Sequence, residues 1–463
     1  MRRPFTVKDV RVDKNFRQVE GGVIEAKGIA ESHAGLWTDP HGSSLFQTDI
    51  ITKSPALDVR AYGEGVGGGG DDTVAFQATF MEAKAGTYPR KVLIPNGNFH
   101  ITDTLEVTSG MVIDGSNKSI WSGQYGADDK PSCLITFAPT SEKDLFHVHR
   151  TGGSGLPYAS NTNISNLAIK GNTTGGITHS RHALHLDSVA QSIFKNIGIR
   201  HFQRGHYAIN AMSNRFKNVY IGYCSEDCFY YDVYPPSTGT ASTSDVWDAC
   251  IFRETPLGGI IKKGYAITFD SCLFETLGGG VRIYRECGVV TFINPYVENV
   301  PTVSDGFVWN MGNDGTTNWG GNNLIIIGGF QLGRDDMYGG KTGVCVEINH
   351  CSGVQIISPH INKYVIGIAS DNVANTPDNS VYVAAPAFYD VTYLYYQMAG
   401  KMWGSYPTGT LDSGAINPKT YGHSIQMVGL VTYANNAAAI AGGLAVGDFY
   451  RTNADPDTVC VVH

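Results

Sequence analysis

The chain is poor in charged residues and lacks any long apolar run. Only 16% of its 463 residues are charged, which argues against a disordered chain and against a helical bundle. The formal net charge is −8, which disfavours nucleic acid as a partner, because phosphate binding depends on clustered Lys and Arg. No apolar stretch reaches ~18 residues, so we expect no membrane span.

An export signal and a disulfide framework are not indicated either. The basic start Met1-Arg2-Arg3-Pro4 is followed by a stretch that charged residues interrupt, so we expect synthesis in a bacterial cytoplasm. Nine cysteines, an odd number in a long chain, fit reduced thiols. Cys250 and Cys272 fall at equivalent repeat positions, which favours stacked buried thiols over metal binding or catalysis.

Glycine and aromatic residues are abundant, and the middle of the chain repeats itself. With 56 Gly, 24 Tyr and 20 Phe, the composition suits many short strands joined by turns. Several phrases share a polar turn residue followed, three positions on, by an apolar residue. The turn residues are Asn196, Asn218, Asp248 and Asp270. Their spacings are 22, 30 and 22, and the pattern continues at 24, 34, 30 and 27.

These spacings predict a solenoid. A coil of three short strands at roughly 3.3 Å per residue, with its turns, takes somewhat more than 20 residues, so the longer spacings carry inserted loops. One coil cannot bury its own apolar side, whereas stacked coils about 4.8 Å apart form a continuous core. The turn Asn and Asp residues are then expected to align as a hydrogen-bonded ladder. The leucine-rich-repeat signature is absent.

A distinctive segment precedes the repeats. Phe76, Phe80 and Ala83 predict an amphipathic helix at about 73–85, and Asp71 and Asp72 stand where a helix cap is expected. An apolar strand, Val92-Leu93-Ile94, and a turn, Pro95-Asn96-Gly97, follow it. A solenoid opens with exposed strand edges, so the helix is the candidate cover for that end.

This segment, from Asp58-Val59-Arg60-Ala61-Tyr62-Gly63 to Ile101, resembles the entrance to a right-handed parallel β-helix of the pectate-lyase superfamily, in the version carried by bacteriophage tailspikes. The resemblance implies an all-β fold with a short N-terminal capping helix and small terminal modules. One departure is the long turn, in which four glycines, Gly67 to Gly70, follow Gly63-Glu64-Gly65-Val66.

The resemblance divides the chain into three segments. Residues 1–57 are unrepeated and are expected to be a virion-attachment or linker segment. Residues 58–400 are expected to be the β-helix. Residues 401–463 are expected to be a small C-terminal module, in which Thr432 to Thr452 reads as a short helix, a turn and a strand. This stretch is similar to a module that recurs at the C-termini of phage tail proteins.

Aligning the coils on their turn residues groups the catalytic candidates. Tyr223, Arg253, Glu275 and, one residue out of line, Glu298 fall at the same lateral position, with Glu254 beside Arg253. Carboxylates on adjacent coils would lie roughly 5 Å apart, and two coils apart roughly 9 to 10 Å. These distances bracket the retaining and inverting glycosidase geometries. We therefore predict Glu275, Glu298 and Glu254 as catalytic, although stacked Glu and Arg are more often a solvated charge ladder.

Further residues are candidates for substrate binding. Arg253 and Tyr223 belong to the predicted cluster, and Arg282, Tyr284 and Arg285, on the strand after Glu275, are expected to line the same face. Asp227 lies near an aromatic run that suits sugar stacking, although such runs more often pack an inserted loop. We expect no metal site and no cofactor.

The resemblance implies a phage tailspike that binds and depolymerises a bacterial surface polysaccharide, such as a capsule, O-antigen or exopolysaccharide. Hydrolysis by paired carboxylates is favoured. β-Elimination on a uronic acid, with Tyr223, Arg253 and Arg282 as candidates, a non-catalytic sugar-binding spike and a purely structural tail protein are the alternatives. The family also implies a homotrimer in the virion, attached to the phage tail, its baseplate or another tailspike through its N-terminus. A site within or between subunits is left open.

Overall fold

The structure is a computed structural model. It describes residues 16–18, 24–26, 56–63, 65–85, 89–115, 131–150, 158–174, 177–232, 241–284, 287–302, 306–311, 323–333, 342–348, 353–370, 380–396, 401–404, 432–444, 449–451 and 459–461.

Over these residues the chain winds into a right-handed parallel β-helix with three parallel sheets, as the sequence predicts. Each strand pairs with the equivalent strand of the next coil. Sheets 1 and 2 share the long strands Asn163–Gly171, Ile193–Arg200 and Arg215–Gly222, which later coils divide into two shorter strands.

The strands of the three sheets are as follows. Sheet 1 contains, besides the shared strands, Ala56–Asp58, Lys91–Ile94, Val112–Gly115, Val246–Asp248, Ile267–Asp270, Val290–Ile293, Leu324–Ile327, Val354–Ile357, Ser380–Ala384 and Lys401–Gly404. Sheet 2 contains Gly97–Ile101, Cys133–Phe137, Ile251–Arg253, Leu273–Glu275, Tyr296–Glu298, Phe330–Leu332, His360–Asn362 and Ala387–Tyr389. Sheet 3 contains Leu105–Val107, Phe146–His149, His182–Asp187, Arg204–Ile209, Asp227–Asp232, Leu257–Ile261, Gly279–Ile283, Phe307–Met311, Thr342–Ile348, Tyr364–Ser370 and Tyr393–Tyr396.

Smaller elements complete the described chain. A 3₁₀ turn spans Val59–Tyr62, and the α-helices are Thr73–Lys84 and Asn436–Ala441. Short strand pairs are Phe16–Gln18 with Ile24–Ala26, Ala159–Ser160 with Val189–Ala190, Thr173–Thr174 with Ile177–Thr178, Ser242–Thr243 with Gly264–Tyr265, and Phe449–Arg451 with Val459–Val461. The short helix and following strand expected after Thr432 are therefore confirmed. The division into three segments stays a prediction. No helix among the described residues has the length and apolar character to cross a membrane.

The core is a column of side chains stacked along the helix axis. Phe194, Phe216, Trp247, Phe269 and Phe292 occupy one register position on successive coils of sheet 1, and all are buried. The rings of the second and third residues stack with centroids 3.9 Å apart. Such pairs contribute about 0.5–1.5 kcal/mol each beyond their burial. Seven cysteines whose side chains the structure describes are buried free thiols, as expected, and Cys250 stacks beside Cys272.

The predicted capping helix covers the N-terminal end of this core. Its apolar face is buried, with Phe76 5.4 Å from Phe99 and Phe80 6.4 Å from Phe146, measured between ring centroids. Asp71 accepts a hydrogen bond from the first helical N–H at 3.0 Å. Asp72, the N-cap residue, does not cap the helix with its side chain; it accepts instead from backbone N–H groups of the glycine-rich turn and of sheet 2.

The predicted turn ladder is present in its first coils. The Asn218 amide donates to Asn196 at 2.9 Å, and the Asn196 amide donates to Asn166 at 2.8 Å. Asn166 in turn donates to Asp114 at 2.7 Å. The side-chain amides therefore bond from coil to coil, because each offers both a donor and an acceptor.

The extension of this ladder to Asp248 and Asp270 is wrong by one residue. Asp248 pairs with Lys217 rather than with the ladder asparagine. The turn position is held instead by Ala249 and Ser271, both with φ of 52°. The turn requires a left-handed backbone more than an amide side chain. Polarity therefore pointed to Asp248 and Asp270, each one residue before the true turn position.

Candidate functional site

Arg253, Glu275 and Glu298 occupy one register position on three successive coils of sheet 2. Adjacent strands lie about 4.8 Å apart, so the three side chains form a column along the helix. The predicted grouping of these residues is confirmed. Glu298, expected one residue out of line, is in register.

The Arg253 guanidinium holds two carboxylates. Its Nη2 atom lies 2.8 Å from Oε1 of Glu254 and 3.3 Å from Oε1 of Glu275. The Arg253 side chain is 13% exposed and that of Glu275 is 19% exposed, so solvent screens these charges less than at an open surface. Arg253, Glu254 and Glu275 thus form a partly buried ionic cluster.

The environment of Glu275 favours its protonated form. Burial raises the pKa of this carboxyl, the Arg253 charge opposes that effect, and the Glu298 and Glu254 carboxylates raise the pKa further. The net direction is upward from the ordinary value. An upward shift in pKa moves a carboxyl group towards the role of a general acid.

Tyr223 joins the cluster from a different position than expected. Gly222, not Tyr223, pairs with Arg253. Tyr223 lies in the turn after the strand with φ of 56°, and Glu254 holds the equivalent turn position with φ of 50°. The Tyr223 hydroxyl hydrogen-bonds to Glu254, and burial followed by this contact raises the pKa of the phenol.

A basic and aromatic surface borders the cluster on its N-terminal side. The Arg200 guanidinium lies over the Tyr220 ring at 4.9 Å and over the Tyr223 ring at 5.3 Å. The His201 ring lies 5.5 Å from Tyr223. A cation is attracted to the face of an aromatic ring, so the Arg200 contact helps to hold the Tyr223 ring in place.

On the C-terminal side, an aromatic row that the sequence analysis missed runs along sheet 2. The row consists of Tyr296, Phe330, His360 and Tyr389, whose ring centroids are 5.8, 4.6 and 4.6 Å apart in that order. Tyr296 is 43% exposed and Tyr389 is 44% exposed. The first three stand three positions after the aligned isoleucine of their repeat phrases, and this signal was available in the sequence.

Arg282 and Tyr284 do not line the face of Glu275, so that prediction is wrong. Arg282 belongs to sheet 3, where it pairs with Ile260 and lies 5.3 Å from the Phe307 ring. The turn at Thr276 carries the chain from sheet 2 to sheet 3 before Arg282 is reached. Tyr284 directly follows that strand, and Arg285 lies outside the described residues.

Asp227 also lies on sheet 3, away from the glutamate cluster. It is buried, and Arg204 Nε lies 3.1 Å from its Oδ2 atom. Burial raises the pKa of Asp227 to about 7, although Arg204 opposes the shift. Of its aromatic neighbours, Phe229 and Tyr231 point into the core. The predicted aromatic surface at this position is therefore partly core packing.

Metal-type ligands converge elsewhere. Within the described residues, groups of His and carboxylate side chains that could hold an ion occur on or beside sheet 3. They are Glu106 with His147 and His149, and Asp144 with His182 and His185. Neither group contains a predicted catalytic glutamate.

The fold places the chain among parallel β-helix proteins. No protein-family model matches the sequence, and no curated protein matches it. Among solved structures, the tailspike gp42 of Acinetobacter phage vb_AbaP_AS12 has a TM-score of 0.54 at 13% sequence identity, covering 87% of this chain and 71% of that one.

Two further solved structures are similar. The Agl-KA catalytic domain has a TM-score of 0.52 at 13% identity, covering 76% of this chain and 68% of that one. PfbA, a surface adhesin of Streptococcus pneumoniae, has a TM-score of 0.50 at 14% identity, covering 78% and 93%. The β-helix expected from the sequence is thus confirmed as the fold that this chain shares with a phage tailspike.

Proposed function

We propose that the chain is a bacteriophage tailspike that binds a bacterial surface polysaccharide and depolymerises it by glycosidic hydrolysis. The observation that carries this proposal is the pair Glu275 and Glu298 on adjacent coils, beside an aromatic row whose two end residues, Tyr296 and Tyr389, are exposed. The similar fold of a phage tailspike supports the assignment to a virion, and that of a catalytic domain is consistent with an enzyme.

The two glutamates have different roles in this reaction. Glu275, whose pKa is raised, donates its proton to the leaving glycosidic oxygen. Glu298 acts as the second carboxylate on the opposite side of the sugar ring. Adjacent strands put the two residues about 4.8 Å apart at the backbone, close to the ~5–5.5 Å carboxyl separation of retaining glycosidases. Arg253 and Glu254 orient Glu275 and set its charge.

The aromatic row is the proposed substrate platform. A polysaccharide lying along sheet 2 would pass over Tyr296, Phe330, His360 and Tyr389, and faces of sugar rings would pack against them. The row begins beside the catalytic pair, because Tyr296 hydrogen-bonds to Glu298. Binding along the row would therefore place a glycosidic bond next to Glu275.

β-Elimination is disfavoured by one observation. A tyrosine base needs a pKa lowered towards neutral pH, whereas burial and the Glu254 contact raise the pKa of Tyr223. A non-catalytic sugar-binding spike is the other alternative, and the similar fold of a surface adhesin is consistent with it. The glutamate pair favours the enzyme.

Assembly as a homotrimer is part of the proposal. Outer strands carry large exposed apolar side chains, among them Ile193, Ile327 and Tyr382, which contacts between copies would cover. The N-terminal segment would attach the trimer to the phage tail, its baseplate or another tailspike. Light scattering after size exclusion should give three times the chain mass.

The deciding experiment measures cleavage and binding separately. Host polysaccharide is incubated with the parent chain and with Glu275→Gln or Glu298→Gln, and the products are sized. We expect each variant to lose about 10²–10⁴-fold of the activity while still binding the polymer. Glu142→Gln, an exposed change outside the site, serves as the control. An ultraviolet-absorbing unsaturated product would show a lyase, and binding without any cleavage by the parent would show a non-catalytic spike.

A further inference from the structure

Three metal-type ligand atoms meet on the outer face of sheet 3. Glu106 and His147 pair across adjacent strands, and His149 lies two positions further on the same face. Oε2 of Glu106 lies 3.1 Å from Nδ1 of His147 and 2.8 Å from Nε2 of His149. One carboxylate oxygen therefore faces two imidazole nitrogens.

The other ring nitrogen of His149 fixes the proton arrangement. Its Nδ1 lies 3.0 Å from the backbone carbonyl oxygen of Arg150. A carbonyl oxygen only accepts, so Nδ1 carries the hydrogen and donates it. In the neutral ring, Nε2 then presents a lone pair to Oε2 of Glu106, which presents lone pairs as well. This contact needs a positive charge between the two atoms, either a proton or a metal ion.

Among the described residues, no lysine or arginine forms an ion pair with Glu106, whose ion pairs are with His147 and His149. The nearby Lys143 is bound to Asp103 at 2.6 Å. A divalent cation at this place would meet one carboxylate oxygen and two ring nitrogens.

The neighbouring cluster of Asp144, His182 and His185 differs, because an arginine is bound to its carboxylate. Asp144 lies 2.6 Å from His185, and the Arg181 guanidinium also binds it through Nε at 2.9 Å and Nη2 at 2.8 Å. Arg181 is permanently charged and already neutralises this carboxylate. A metal ion at Asp144 would be repelled by Arg181, so this cluster is the natural internal control.

We propose that Glu106, His147 and His149 form a binding site for a divalent transition metal of the zinc class, with three protein ligands and one open position. Zinc bonds of about 2.0–2.2 Å to N and O atoms imply ligand atoms about 3.3 Å apart in a tetrahedron. The observed 2.8 and 3.1 Å separations need to open by only a few tenths of an ångström. The two imidazole rings, which stack with centroids 4.5 Å apart, would tilt so that both nitrogens point at the ion. The carbonyl of Arg150 provides the outer hydrogen bond that metal-binding histidines make.

The test is a titration of the full-length, untagged and metal-stripped chain with Zn²⁺, and in parallel with Co²⁺ as a spectroscopic probe. We expect the parent to bind one equivalent more than Glu106→Gln, His147→Ala or His149→Ala. The difference spectrum with Co²⁺ should show d–d bands without thiolate charge transfer, because the described thiols are buried. His185→Ala, which changes the Asp144 cluster instead, should bind as many equivalents of Zn²⁺ as the parent.

Two results would overturn the proposal. Equal Zn²⁺ binding by the parent and by folded Glu106→Gln and His149→Ala chains would mean that a proton alone bridges Glu106 and His149. Loss of the equivalent in His185→Ala but not in His149→Ala would place the metal at Asp144. The readout is metal stoichiometry, so it is independent of whether the chain cleaves polysaccharide.

Discussion

Glu275 pairs with Arg253 on the preceding coil and with Glu298 on the following coil. Arg253 lowers the pKa of Glu275 and Glu298 raises it, while burial raises it most. The acidity of this group is therefore set by residues more than 20 positions away in sequence. Stacking of coils makes such distant residues adjacent, and each can be changed without altering the strand that carries Glu275.

The spacing of the two glutamates predicts retention of anomeric configuration. Side chains on adjacent coils are about 5 Å apart, which leaves no room for the water molecule that an inverting enzyme places between sugar and base. Proton NMR of the first products, recorded before mutarotation, should show the anomer of the substrate. The inverted anomer would exclude Glu298 as a nucleophile and would favour a carboxylate further along the helix.

Replacement of Arg253 by Gln should move the alkaline limb of the activity profile. Glu275 must be protonated to act as the acid, so kcat/KM falls as the pH rises through its pKa. The Arg253 charge lowers that pKa, so Arg253→Gln should raise it and shift the limb to higher pH. Arg253→Lys keeps the charge and should leave the limb near that of the parent. An unmoved limb in Arg253→Gln would mean that another group is the acid.

The aromatic row should contribute to binding of long polymers only. Tyr389 is three coils beyond Glu298, or roughly 14 Å at the strand spacing, so a short oligosaccharide bound at the glutamates does not reach it. We expect Tyr389→Ala to raise KM about 2- to 10-fold for the polymer, the loss of one ring contact, with kcat unchanged.

Tyr265→Ala provides the matched control for this change. Tyr265 is 45% exposed, almost the same as Tyr389, but it lies on the short strand Gly264–Tyr265, outside the three large sheets. Its removal should leave KM unchanged for both substrates. An equal effect of the two variants would show that lost tyrosine surface, rather than the row on sheet 2, causes the change.

The solenoid could be predicted because its repeats leave a periodic trace. The aligned isoleucines Ile293, Ile327 and Ile357 pair in the structure as their spacing indicates. The predicted alignment of the coils was wrong where the turn residue was identified by its polarity. The true turn residue, Ala249, is apolar but adopts the same left-handed backbone as Asn218. Two of the spacings were consequently wrong by one residue.

The sites were predictable to different extents. Glu275 and Glu298 end equivalent strands, so aligning the repeats brought them together despite the register error. Arg282 was assigned to the wrong face because the turn between sheets 2 and 3 has no strong sequence signal. Glu106 and His147 belong to early coils, in which these paired residues are 41 positions apart (147 − 106), so their proximity follows only from strand pairing.

A buried aspartate should make the stability of the β-helix depend on pH. Asp245 is fully buried and accepts hydrogen bonds from the Asn214 backbone at 2.8 Å and from the Tyr231 hydroxyl at 3.2 Å. Burial raises its pKa to about 7. The ordinary value is about 3.9, so between about pH 4 and 7 the folded chain binds a proton that the unfolded chain has released.

The contribution of Asp245 to the free energy of unfolding should therefore fall as the pH rises through this window and stay constant above it. Asp245→Asn cannot titrate and keeps an acceptor oxygen, so its unfolding free energy should fall less steeply over this window, where Asp227, whose pKa is also raised to about 7, still contributes. Denaturant unfolding from pH 4 to 8 measures the difference between the two chains. Asp248→Asn removes the same charge from a side chain that is 42% exposed and should retain the decline of the parent. Parallel curves for the parent and Asp245→Asn would mean that the native Asp245 is ionised throughout, with its charge stabilised by Asn214 and Tyr231.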